Sequence, residues 1–169
     1  MGISLLPSTP HEGLTLLSTT TINNAEILLS SIPQNYKDLL IVLRDYLPNT
    51  DAQNLRIRFN DDSTASRHAD AVDWYGATFS FASTSSRFTA AADNTLADGL
   101  LIGRIPDYTN TTTFKWFIAE GINYDNNGTT IYPISRIGAI NQTNAISSLR
   151  FLTTSSTPKS GTLLLYGVN

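Results

Sequence analysis

Residues 36–60, YKDLLIVLRDYLPNTDAQNLRIRFN, constrain the fold more than any other stretch. Leu39 to Leu43 form a continuous aliphatic run of strand length, short for a helix. Pro48, Asn49, Thr50 and Asp51 then break the run with turn-forming residues. Leu55, Ile57 and Phe59 follow, alternating with Arg56 and Arg58. Strict alternation gives the second strand one buried and one wet face. The first strand is apolar on both faces, which predicts a place near the centre of a sheet.

The rest of the chain repeats this grammar. Strands are expected over Leu14 to Ile22, Ala25 to Ile32, Val72 to Ser83, Leu100 to Tyr108, Phe114 to Tyr124, Thr129 to Ile140, Ala145 to Thr153 and Gly161 to Val168. Phe88 to Ala92 reads as a weak strand or an extended loop. In the strand after Phe114, the residues Phe114, Trp116 and Ile118 share one side. Asn127-Gly128, between two strands, is the clearest hairpin signal. Residues 60–74 hold the one segment with helical spacing, Ala65, Ala69 and Val72. Asp62 or Ser63 stands ready as its cap, so a turn of helix is expected there. The expected fold is all-β: an antiparallel β-sandwich, jelly-roll-like, with about ten strands and at most one short helix. The absence of alternating strand and helix patterns disfavours a parallel sheet.

A chain of 169 residues suits one domain. Residues 14–169 are read as that domain. Residues 1–13, punctuated by Pro7, Pro10 and Gly13, are read as an N-terminal arm. Hydrophobic residues make up 41%, enough for a core, while charged residues are only 15%, against roughly 25% in ordinary soluble domains. Ser, Thr and Asn fill the difference at roughly a third of the chain, a composition suited to exposed strand positions and tight turns. The net charge is −3, and Lys and Arg are scattered, so no basic face for nucleic acid is expected. There is no cysteine, which excludes disulfides and thiolate metal sites. No apolar run approaches membrane-spanning length, and no secretory signal is read at the start.

Catalytic chemistry is sparse. His68 lies among Asp61, Asp62, Asp70 and Asp73. Such oxygen ligands suit Ca²⁺, but the spacing matches no EF-hand loop, and a solvated cap and turn is the preferred reading. Glu12, Glu26 and Glu120 are the only glutamates. Glu120, inside a strand, is either a buried carboxyl of raised pKa or an edge or bulge residue. No nucleophile elbow, phosphate loop or dinucleotide fingerprint is present, so no enzyme and no cofactor are expected. Trp116, Phe79 and Phe81 are expected in the core. Tyr124 and Tyr132 flank the Asn-Gly turn and are candidates for a glycan-stacking platform. The sequons at Asn110, Asn127 and Asn141 are read as turn chemistry.

Ile32-Pro33-Gln34-Asn35-Tyr36-Lys37-Asp38-Leu39 leads into the aliphatic strand, Leu55-Arg56-Ile57-Arg58-Phe59-Asn60 follows one hairpin later, and the chain closes on Leu165-Tyr166-Gly167-Val168. This order resembles small β-sandwich virion proteins of tailed bacteriophages, including those of cyanobacteria. The chain departs from that pattern after Asn60, where Asp61 and His68 stand in place of an expected glycine and aromatic. The resemblance implies a virion location and a structural role, as a capsid cement or decoration protein or a tail-associated protein. The implied partners are the major capsid protein or other virion proteins, and the two-faced apolar strand Leu39 to Leu43, with few charges to keep monomers apart, adds the expectation of a homo-oligomer, a trimer. It supplies no catalytic residue. The arm residues Leu5, Leu6, Pro7 and Pro10 are the candidate partner contacts.

Overall fold

The computed structural model describes residues 13–72, 80–96, 99–124, 129–153 and 156–169. The aliphatic run becomes β3 (Asp38–Leu47) and the alternating run becomes β4 (Leu55–Phe59). They do not form a hairpin. β3 lies in a seven-stranded sheet and β4 in a four-stranded one, so the Pro48-Asn49-Thr50-Asp51 turn carries the chain across the sandwich. β3 is third of seven, between β11 (Ser160–Val168) and β7 (Leu100–Ile105), the interior place its two apolar faces require.

The other elements are β1 (Leu14–Thr21), β2 (Glu26–Leu29), β5 (His68–Val72), β6 (Ser86–Arg87), β8 (Lys115–Tyr124), β9 (Ile131–Ile140) and β10 (Leu149–Thr153). All pairings are antiparallel, in the orders β1-β11-β3-β7-β8-β9-β5 and β2-β10-β4-β6. From β1 to β7 the chain changes sheet at every strand. The two four-stranded halves β1-β11-β3-β7 and β2-β10-β4-β6 form a jelly roll, and β8, β9 and β5 widen one sheet beyond the other. β8 and β9 pair from Lys115↔Ile140 to Tyr124↔Ile131, the hairpin that Asn127-Gly128 signals; residues 125–128 themselves lie outside the described set. So do Phe79 and most of the strand expected from Val72.

No helix forms over residues 60–72. Asn60 and Asp61 both take positive φ, 52° and 54°, and the Asp62 amide donates to the Phe59 carbonyl at 3.0 Å. Asn and Asp tolerate this left-handed geometry better than most residues. Asp62 accepts from the Thr64 amide at 2.8 Å, closing a local turn rather than capping a helix. The chain then enters β5, because β9 offers an open edge from His68↔Ile140 to Val72↔Arg136. Tertiary pairing overrides the weak helical spacing. Of the two forms expected for Phe88 to Ala92, the structure shows the loop; β6 is only the two residues before it.

The core lies between the sheets. Phe59, Phe88, Phe117 and Phe151 are fully buried, with ring centroids 6.1 Å apart for Phe59–Phe117, 5.6 Å for Phe88–Phe117 and 5.5 Å for Phe88–Phe151. Gly138, opposite Phe117 in the β8–β9 register, leaves room for that ring; any Cβ there would collide with it. The parity of β8 is opposite to expectation. Lys115, Phe117 and Ala119 point inward, and Trp116, 42% exposed, points out. Phe114 is exposed as well, and Phe81, half-buried, packs edge-on against it at 6.2 Å rather than in the core.

Candidate interaction surface

The two outward faces of the sandwich differ in kind. On the four-stranded sheet, Arg150 pairs across with Arg58, and Arg56 with Arg87, so the alternation of β4 and β10 gathers four arginines that look scattered in sequence. Each has an answer. Arg150 holds both Asp61 oxygens, at 2.5 and 2.7 Å, and Glu26 at 2.7 Å. Arg87 holds Asp70 at 2.6 Å. Arg58 lies 3.6 Å from Asp61. Arg56 donates to the hydroxyls of Ser85 and Ser83 at 2.8 and 3.0 Å. This face is charged, with the three carboxylates Asp61, Glu26 and Asp70 set among four guanidiniums.

The outward face of the seven-stranded sheet is apolar. One row across it runs Leu16, Tyr166, Leu40, Arg104, Ile118 and Ile137. The next carries Leu164, Val42, Ile102 and Glu120, and the one beyond it Arg44, Leu100 and Ile122. Leu16, Leu100, Ile102 and Ile122 are 42–52% exposed. A shallow depression is floored by Leu40, Ile102, Ile118 and Gly121 and walled by Arg104 and Glu120. Isolated exposed aliphatics are ordinary, but a contiguous apolar face of this kind marks a contact surface.

Glu120 is therefore neither buried nor at an edge. It lies exposed on an interior strand, within the apolar face. Tyr124 pairs with Ile131 and Tyr132 with Asn123, so the two rings leave opposite faces of the β8–β9 ribbon and do not form one flat platform. The acidic cluster disperses: Asp61, Asp62 and Asp70 each bind an arginine. Among the described residues no group of three or more His, Cys, Asp or Glu comes together to hold a metal ion. Asp73 and the arm residues Leu5, Leu6, Pro7 and Pro10 lie outside the described set. Asn110 accepts from the Thr112 and Thr113 amides at 2.6 and 3.1 Å, which is the turn chemistry its sequon suggested.

The polar residues that organise the fold were not singled out by the sequence. Asn60 clamps the segment before β10, accepting from the Ser147 amide at 2.8 Å and donating to the Ala145 carbonyl at 2.9 Å. Lys115 is 1% exposed and gives its ammonium to the Thr113 and Thr143 carbonyls at 2.8 and 3.1 Å. Burial pushes its pKa down, against the attraction of Asp107. Asp38, 4% exposed, binds Arg104 at 2.5 Å and the Asp107 amide at 2.9 Å. Burial works to raise its pKa, but the Asp107 amide and the Arg104 guanidinium outweigh it and hold the carboxyl below the ordinary value. Asp38→Ala leaves the Asp107 amide without its acceptor and is expected to cost about 1–3 kcal/mol. Urea denaturation at neutral pH reads that loss. Because the folded carboxyl titrates below its unfolded value, the wild-type contribution is present at neutral pH and disappears only in acid, as pH falls through the folded pKa.

Compared with models of known protein families and with curated protein sequences, the chain matches neither a family nor a sequence.

Proposed function

We propose that this chain is a non-enzymatic structural protein of a phage virion, a capsid cement or decoration protein that stabilises the head lattice as a homotrimer bound to the major capsid protein. The observation that supports the reading best is the contrast between the two outward faces: one charged and laced with arginine–carboxylate pairs, the other apolar across neighbouring strands. A cement protein needs a rigid scaffold that presents such a face, together with a segment able to bridge subunits. The jelly roll is a common scaffold for capsid and lectin domains. The viral assignment itself rests on the motif resemblance at residues 32–39, 55–60 and 165–168.

The arm is the proposed bridge. Fully extended, residues 1–13 reach roughly 40 Å, enough to cross to a neighbouring subunit. Ordering them costs about 1–2 kcal/mol per residue of backbone entropy, so Leu5, Leu6, Pro7 and Pro10 must find an apolar groove on the partner. Deleting residues 2–12 is expected to leave the domain folded and to weaken its binding to undecorated heads. A particle map locates the attachment point and counts the copies. Wild-type affinity after truncation makes the arm a passive tail, and a truncated protein that no longer folds places it in the core; failure of wild-type protein to bind heads at all refutes the virion assignment.

A further inference from the structure

We infer that the outward face of the seven-stranded sheet is a self-association surface, and that its occupant is a second copy of this chain. The charges on that face carry the inference. Arg104 is answered within the chain by Asp38. Arg44 and Glu120 are not: both are exposed, and among the described residues neither takes part in an ion pair. They stand on different strands, β3 and β8, on either side of β7, with Ile102 in the row of Glu120 and Leu100 in the row of Arg44.

An apolar field bearing one unanswered cation and one unanswered anion, set diagonally about its centre, is complementary to itself. A copy turned about an axis lying in the plane of the face, between Leu100 and Ile102, brings each Arg44 to the partner's Glu120 and packs Leu100 and Ile102 against their own counterparts. A closed ring makes the same exchange once per interface. The rival occupant, an unrelated apolar protein, leaves both charges to be desolvated without a partner, which is costly. A lipid surface meets the same objection.

The inference gives the proposed homotrimer its contact surface and to that extent rests on the virion reading, but it concerns the free protein: failure to self-associate in solution overturns it alone, whereas failure to bind heads overturns the virion reading. Sedimentation velocity on the full-length chain tests it. Wild type is expected to sediment as an oligomer at micromolar concentration. Ile102→Lys, at a half-exposed position, is expected to give a folded monomer, with dissociation strengthened about 100-fold or more. Arg44→Glu and Glu120→Arg each weaken association about 10-fold or more by placing like charges together. The double variant Arg44→Glu with Glu120→Arg restores it, because the exchanged pair is again complementary. Both charge positions are exposed, so the series remains readable even if Ile102→Lys misfolds. A wild type that stays monomeric up to its solubility limit overturns the inference. So does a double variant no tighter than the single ones.

Discussion

Phe117→Ala is expected to lower the unfolding free energy by about 3–5 kcal/mol, the range for deleting a buried phenylalanine ring, whereas Trp116→Ala, one residue away, changes it by less than about 1 kcal/mol in the monomer. Phe117, from the seven-stranded sheet, is fully buried and meets two rings of the opposite layer, Phe59 of β4 and Phe88 beyond β6. Its removal opens a cavity where the two sheets meet, and neither sheet can close it without losing register. Gly138, pressed beneath the ring, gives no side chain to fill the space. Trp116 lies on the outward face, 42% exposed. Equilibrium urea denaturation of the two variants beside wild type decides the matter. A larger loss for Trp116→Ala than for Phe117→Ala would mean that β8 is turned the other way.

The parity of β8 shows where sequence reading ended. β4 was legible because its two faces differ in chemistry: Leu55, Ile57 and Phe59 against Arg56 and Arg58 admit one orientation. In β8 both faces are apolar, Trp116 and Ile118 on one and Phe117 and Ala119 on the other, and the larger side chains suggested the wrong one. A one-residue error of parity turns every side chain over. Glu120 held the missed clue, since it shares a face with Trp116 and Ile118, and an unpaired glutamate is costlier to bury than a tryptophan is to expose. Lys115 pointed the other way only because its ammonium finds two carbonyls, one of them 28 residues distant. The Asp38 network was out of reach for the same reason: Arg104 and the Asp107 amide lie 66 and 69 residues along the chain. The sandwich and its strands follow from local alternation and turn chemistry. The contact face follows from register between strands, which local patterns do not specify.

His68 is where the fold should respond most strongly to mild acid. Its side chain is fully buried, and neither ring nitrogen has a hydrogen-bond partner. Its ring lies 6.3 Å from that of Phe59, while its backbone bonds Ser83 in both directions, at 3.0 and 3.1 Å. Burial, reinforced by Arg58 and Arg56 and only partly opposed by Asp62, lowers its pKa to about 4 from the ordinary 6.5. The imidazole is thus neutral in the folded protein wherever the unfolded chain is already taking up a proton. Above about pH 6.5 both states are neutral and the full stability is present. As pH falls, only the unfolded state gains a proton, and stability drains away until the folded ring titrates near pH 4. At about 1.4 kcal/mol per pH unit, the loss across this window is roughly 3 kcal/mol. The shifted carboxylates, Asp38, Asp61, Asp62 and Asp93, all have folded pKa values lowered from an ordinary value of 3.8, so most of their contribution is lost at lower pH. Urea midpoints measured from about pH 7 to about pH 4.5 are therefore expected to fall steeply for wild type and to stay nearly flat for His68→Leu, whose side chain fits the same apolar surroundings and cannot ionise. A wild-type profile as flat as that of the variant would mean that the imidazole finds a partner or water in solution and carries no such linkage.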